Sequence, residues 1–86
     1  MTTSNDLADR TRDVVLLVAR EVSHQEVHED LDPLAVGFDS IATLELATRL
    51  ADELGVPCSI EDVFETRSLG ELAQTLAQRA TAASLR

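Results

Sequence analysis

The sequence predicts an all-α fold, a small four-helix bundle of three longer helices and one short one. Three observations predict it. Apolar residues recur at helical spacing in three separate stretches, with no strand-like alternation between them. Pro33, Gly37, Gly55 and Pro57 punctuate the joints. The chain of 86 residues is 44% apolar, yet Phe38 and Phe64 are its only aromatic residues, so the core is built from Leu, Val, Ile and Ala, which suits closely packed small helices.

Met1 to Asn5 reads as a flexible tail, residues 6–80 as one domain and residues 81–86 as a second flexible tail. Leu7, Thr11, Val14, Val15, Val18 and Val22 place a first helix from about Asp6 to Glu21 or a little beyond. The pattern then stops. Ser23 to Phe38 holds Pro33, Gly37, His24, His28 and several acids, a longer loop than a compact domain usually keeps without a purpose.

A second helix is expected from about Ser40 to Leu54. Asp39 or Ser40 caps its start, and Gly55 with Pro57 ends it. At about 100° per residue, Thr43, Leu46, Ala47, Leu50 and Leu54 form a core stripe. Ile41, Leu44, Glu45, Thr48 and Asp52 fall on the opposite side, a mixture of apolar and acidic groups as in an interaction surface. Ser59-Ile60-Glu61-Asp62 begins a short third helix through about Glu65, with Val63 and Phe64 as its anchors. Ser68-Leu69-Gly70-Glu71 reads as a capping box opening a fourth helix, with Leu69, Leu72, Ala73, Leu76 and Ala80 in one stripe.

Seven basic and sixteen acidic side chains give a formal net charge of −9. Such a surface repels nucleic acid and anionic membrane, and attracts basic patches on other proteins. A single cysteine, Cys58, rules out an intrachain disulfide and fits a cytoplasmic setting. No apolar run reads as a signal peptide or membrane span. No spare long apolar stripe is visible, which reads as a monomer.

Ser40 is the residue that stands out. Its hydroxyl lies at a helix start, where free N–H groups and the helix dipole favour anions, so a phosphate ester there sits in a favourable field. Val36-Gly37-Phe38-Asp39-Ser40-Ile41 resembles the Leu-Gly-x-Asp-Ser-Leu motif of the acyl and peptidyl carrier proteins. Thr43-Leu44-Glu45-Leu46, Gly55-Val56-Pro57 and Ser68-Leu69-Gly70-Glu71-Leu72 resemble later parts of that family, in order, from about Leu34 to Leu76.

The resemblance implies 4′-phosphopantetheine on Ser40, with Asp39 beside it, installed from coenzyme A by a separate phosphopantetheinyl transferase. It implies acyl or aminoacyl cargo held as a thioester, no catalysis by the chain itself, and loading, synthase or tailoring enzymes as partners. Asp39, Ile41, Leu44, Glu45, Thr48 and Asp52 would then dock on those enzymes. Arg49, at the edge of that face, departs from the family. Phe38 leans towards acyl carriers. Val63-Phe64-Glu65 and the Ser68–Ala73 segment lean towards peptidyl carriers. The mixture favours a stand-alone carrier of polyketide or nonribosomal peptide synthesis, with a carrier of fatty acid synthesis and an unmodified acidic adaptor as alternatives.

Other chemistries fit less well. A hydrolytic serine needs a positioned base and a Gly-x-Ser-x-Gly elbow, and the chain has neither. His24 and His28 with Glu29 lack a third placed ligand, so no metal site is expected. Asp30 and Asp32 begin something like a calcium loop, but its glycine and terminal glutamate are not at their required spacings. Cys58 reads as a small, partly buried hydrophobe without an activating cation. A cargo cavity is expected between the second and third helices, near Leu46, Leu50, Val63 and Phe64.

Overall fold

The computed structural model describes residues 3–33, 35 and 37–84, with side chains described between Leu7 and Ala82. Leu34 and Val36, which open the expected motif, lie outside the described residues, as do Met1, Thr2, Leu85 and Arg86. The chain forms α1 (Thr3–Ser23), α2 (Ser40–Leu54), α3 (Ile60–Glu65) and α4 (Leu69–Ser84). No strand occurs among the described residues. The fold class is the expected one.

The apolar stripes dictate how these helices meet. α1 packs against both α4 and α2, and α3 is carried by α2. Thr11, Val15, Val18 and Ala19 of α1 face Thr43, Leu46, Ala47 and Leu50 of α2 and Leu69, Leu72, Ala73 and Leu76 of α4, all buried. Val63 is the residue by which α3 enters this core. Burying a Leu or Val side chain contributes roughly 1.5–3 kcal/mol each, so this cluster is the main term favouring the fold.

Each helix ends for a local reason. His24 adopts a φ of +59° and its N–H donates to the Arg20 carbonyl at 2.8 Å, closing α1. Asp39 caps α2, and Gly55, with a φ of +66°, ends it by donating to the Ala51 carbonyl at 2.9 Å. Ser59 and Asp62 form a reciprocal capping box on α3, and Thr66 closes it through the Val63 carbonyl.

The segment between α1 and α2 has a structural purpose. Leu31, Pro33 and Phe38 are buried and pin it to the core. Its carbonyls also serve the start of α4: Leu69 N–H donates to Leu31 O at 2.9 Å and Gly70 N–H to Glu29 O at 2.8 Å. The first N–H groups of a helix have no partner within it, so the loop satisfies donors that would otherwise need water or a side chain. Gly70 permits this approach, because a Cβ there would lie 3.1 Å from Glu29 O and 3.2 Å from Glu29 Cβ.

Five expectations need correction. α1 begins at Thr3 rather than Asp6, and α4 continues to Ser84 rather than stopping at Ala80. Apolar periodicity reports burial, whereas a helix propagates beyond its buried stripe through good formers such as Ala82 and Ala83. Phe64 is not an anchor. It is 44% exposed, because Val63 takes the inward position and a six-residue helix turns its neighbour outward. Leu54 packs on the core only partly buried. The complete capping box is at Ser59–Asp62, while at Ser68 the hydroxyl accepts from Glu71 N–H at 3.1 Å.

Candidate functional site

The start of α2 is built by its neighbours. Phe38 is buried and its N–H donates to Pro33 O at 3.1 Å, fixing the last residues before the helix. Gly37, with a φ of +90°, makes the turn that brings Phe38 inward. Asp39 then caps the helix: its Oδ1 accepts from Ala42 N–H at 2.8 Å, and its carbonyl accepts from Thr43 N–H at 2.9 Å.

Ser40 is therefore the first helical residue, not the cap. It is exposed, and its hydroxyl makes no hydrogen bond among the described residues. The N–H groups of Ser40 and Ile41 also lack an acceptor among the described residues. An exposed nucleophilic oxygen thus stands beside unspent backbone donors at the positive end of a helix dipole, which suits a phosphate ester.

The other serines within the described core differ. Ser59 and Ser68 hydroxyls accept the N–H groups of Asp62 and Glu71 as caps. Ser23 Oγ is buried without a hydrogen-bond partner among the described residues.

The expected outward face of α2 is outward. Ile41 is 78% exposed and Leu44 53%, large values for apolar side chains. Glu45, Thr48 and Asp52 are exposed with them. Phe64 of α3 adds a further exposed apolar group. Arg49, at the border of this face, donates from Nη2 to Glu21 Oε1 of α1. That bond raises the Arg49 pKa above its ordinary value against a smaller opposing effect of desolvation.

The remaining candidates are not brought together. His24 and His28 are both exposed, and no group of three metal-ligating side chains exists among the described residues. Cys58 is half-buried, and burial pushes its thiol up to about 11, with Asp62 adding to the rise and Arg79 opposing it. A cation does lie near this cysteine, which sequence reading missed, but desolvation outweighs it. An open groove of about 440 Å³ lies between α1 and α4, lined by Leu7, Ala8, Gln74, Ala77, Gln78, Thr81 and Ala82. Leu46, Leu50 and Val63, around which the cargo cavity was expected, are fully buried in this state.

Sequence reading also missed a polar hub. Arg79 of α4 makes two hydrogen bonds to Asp62, at 2.7 and 2.9 Å, and one to the Pro57 carbonyl at 2.9 Å. Asp62 is 17 residues from Arg79, and no local spacing announces such a pair.

Comparison with known proteins shows the family. Residues 12–76 match the phosphopantetheine attachment site family. The chain belongs to that family. Members carry 4′-phosphopantetheine covalently on a serine, and this chain is a phosphopantetheine carrier domain.

The carrier is 40% identical over 48 residues to the nonribosomal peptide synthetase criC of Aspergillus cristatus, a match covering 56% of this chain and 2% of that protein. The same identity over 48 residues holds for the nonribosomal peptide synthetase echPS of Aspergillus ruber (strain CBS 135680), again 56% of this chain and 2% of that protein. It is 44% identical over 43 residues to the polyketide synthase ThaG of Burkholderia thailandensis, covering 50% of this chain and 1% of that protein. The carrier thus spans a very small part of the relatives' length. No solved structure matches it.

Proposed function

We propose that Ser40 is the attachment serine, and that the carrier presents acyl or aminoacyl intermediates to the enzymes of polyketide or nonribosomal peptide synthesis. One observation carries the assignment. Asp39 performs the capping, so the exposed Ser40 hydroxyl has no structural task among the described residues. The serines of α3 and α4, by contrast, are occupied as caps.

A separate phosphopantetheinyl transferase supplies the group from coenzyme A. The Ser40 oxygen forms a new P–O bond, the pyrophosphate P–O bond of coenzyme A breaks with release of adenosine 3′,5′-bisphosphate, and the serine proton leaves with the help of the transferase. The bound arm contributes a terminal thiol able to hold a thioester.

The chain's own residues do the positioning. Phe38 and Asp39 fix the start of α2, and the N–H groups of Ser40 and Ile41, without an acceptor among the described residues, favour the phosphate. Ile41, Leu44, Glu45, Thr48 and Asp52 form the surface that meets basic patches on partner enzymes, with charge steering the encounter and the apolar groups supplying contact. On this reading the carrier performs no bond chemistry itself and leaves each step to its partner enzymes. It acts as a monomer in the cytoplasm. No described helix is long and apolar enough to cross a membrane.

Intact-protein mass spectrometry after incubation with coenzyme A and a promiscuous phosphopantetheinyl transferase tests the reading. Wild type gains one phosphopantetheine and Ser40→Ala gains none. A modified Ser40→Ala chain would overturn the site. An unmodified wild type, beside a control carrier that is modified, would favour the acidic adaptor.

A further inference from the structure

Arg49 is a cation at the edge of an otherwise acidic and apolar face, and three carboxylates compete for it. Glu45 precedes it by four residues and Glu53 follows it by four, so both are its neighbours along one side of α2. Both act on its charge. Neither holds it. The hydrogen-bonded ion pair goes instead to Glu21, near the end of α1 and 28 residues away in sequence.

That choice has a consequence for the face. A glutamate four residues before a cation is the favoured orientation of a helical ion pair. Arg49 released from Glu21 therefore falls first on Glu45 rather than on Glu53. Glu45 is one of the two carboxylates that stand with Ile41, Leu44 and Thr48 on the outer face. Pairing with Arg49 would cancel its charge where a basic partner approaches.

We infer that Glu21 is a positioning residue for partner recognition: by holding Arg49 against α1, it keeps the Glu45 carboxylate available to basic partner enzymes. The inference rests on the docking face described above. It concerns competition rather than fold stability. Both side chains of the Glu21–Arg49 pair are partly exposed, 47% and 37%, and exposed pairs of this kind contribute little to stability. A small difference in free energy still decides which of two neighbouring carboxylates an arginine occupies.

The test is a cycle of variants in the transferase reaction with coenzyme A, using initial rates at about 0.05 M and about 0.5 M ionic strength. Glu45→Gln slows loading of the wild type at low salt, by roughly twofold to fivefold. Glu21→Gln, although it leaves Glu45 in place, slows loading by a similar factor. The two together slow it no further, because Arg49 has already cancelled Glu45 in the first variant. Adding Arg49→Gln to Glu21→Gln restores the rate by a larger factor than Arg49→Gln changes the wild type. At high salt these differences shrink.

A general effect of net charge predicts something else, namely that each substitution has the same factor in either background. Equal factors, or a Glu21→Gln rate equal to wild type, would overturn the inference while leaving the carrier assignment and docking face standing. Loading that proceeds normally in Glu45→Gln would overturn the docking role of Glu45 and this inference with it. A wild type that is not loaded at all would overturn the carrier assignment itself.

Discussion

Arg79 and Asp62 join α4 to α3 through two parallel hydrogen bonds, at 2.7 and 2.9 Å. The same carboxylate accepts from Ser59 N–H at 2.8 Å and from the Ser59 hydroxyl at 3.1 Å. Only 15% of the Asp62 side chain is exposed. The Arg79 bond, followed by the Ser59 bonds, holds the Asp62 carboxyl well below the usual carboxylate range, outweighing the opposite effect of burial. α3 is six residues long and enters the core through Val63, so this clamp is a large part of what holds it.

The depressed Asp62 carboxyl makes stability acid-sensitive in a defined direction. An unfolded aspartate titrates near about 3.9. Above that, Asp62 is ionised in both states and its contribution is complete. As pH falls below about 4, the unfolded chain takes up a proton before the folded one does, and the contribution is lost as pH drops towards the folded value. Asp62→Asn should lower stability at pH 7 by about 1–2 kcal/mol, and flatten the fall in stability below pH 4. Urea midpoints by circular dichroism across pH 3 to 7 check both parts. Parallel curves for the variant and the wild type would show that Asp62 is not the titrating group.

Asp39 and Ser40 are adjacent, and the structure separates their tasks. Asp39 satisfies a helix donor, whereas Ser40 satisfies none among the described residues. Asp39→Ala should therefore cost about 1 kcal/mol, the usual value of an N-cap. Ser40→Ala should change stability by less than about 0.5 kcal/mol, as an exposed substitution away from any cap. Thermal or urea unfolding of the two variants measures the difference. Equal losses would mean that Ser40 shares the capping after all.

Gly70 tests the bond between the long loop and α4. Within an ordinary helix, Gly→Ala gains up to about 1 kcal/mol. Here the new methyl meets the Glu29 carbonyl at 3.1 Å, and that carbonyl is held in place by the Gly70 N–H itself. Relief of the contact requires stretching the bond, so the expected sign reverses. Gly70→Ala should destabilise by about 1 kcal/mol, with faster amide exchange at Leu69 and position 70. A stabilised variant would show that the loop yields without loss.

These contacts mark where the sequence was legible. The repeat of Leu and Val at helical spacing located α2 and α4, and the opposite sides of α2 followed from the same periodicity. The Asp39-Ser40 step was legible as a helix start because capping is local. Which of the two residues caps was not, since both types serve, and the choice depends on the backbone set by Gly37 and the buried Phe38. Phe64 was misread because a six-residue helix is too short for periodicity to fix its inward side. The Arg79–Asp62 and Arg49–Glu21 pairs join residues 17 and 28 apart, and their meeting depends on how helices pack. The family resemblance located the serine motif but carried no information about these pairs.

Thr43 offers a way to strengthen the fold just behind the site. It is fully buried in α2, and its hydroxyl has no hydrogen-bond partner among the described residues. The Asp39 carbonyl, which a helical threonine hydroxyl commonly takes, already accepts the Thr43 N–H at 2.9 Å. A buried polar group without a partner costs roughly 1–3 kcal/mol relative to water. Valine has nearly the same shape, similar helix propensity and no hydroxyl to desolvate. Thr43→Val should therefore raise stability by about 1 kcal/mol and leave loading at Ser40 unchanged, since the replaced atom faces the core. Higher urea midpoints with an unaltered rate of phosphopantetheine transfer are the expected pair of results. A loss of stability would show that the hydroxyl has a partner, such as a buried water.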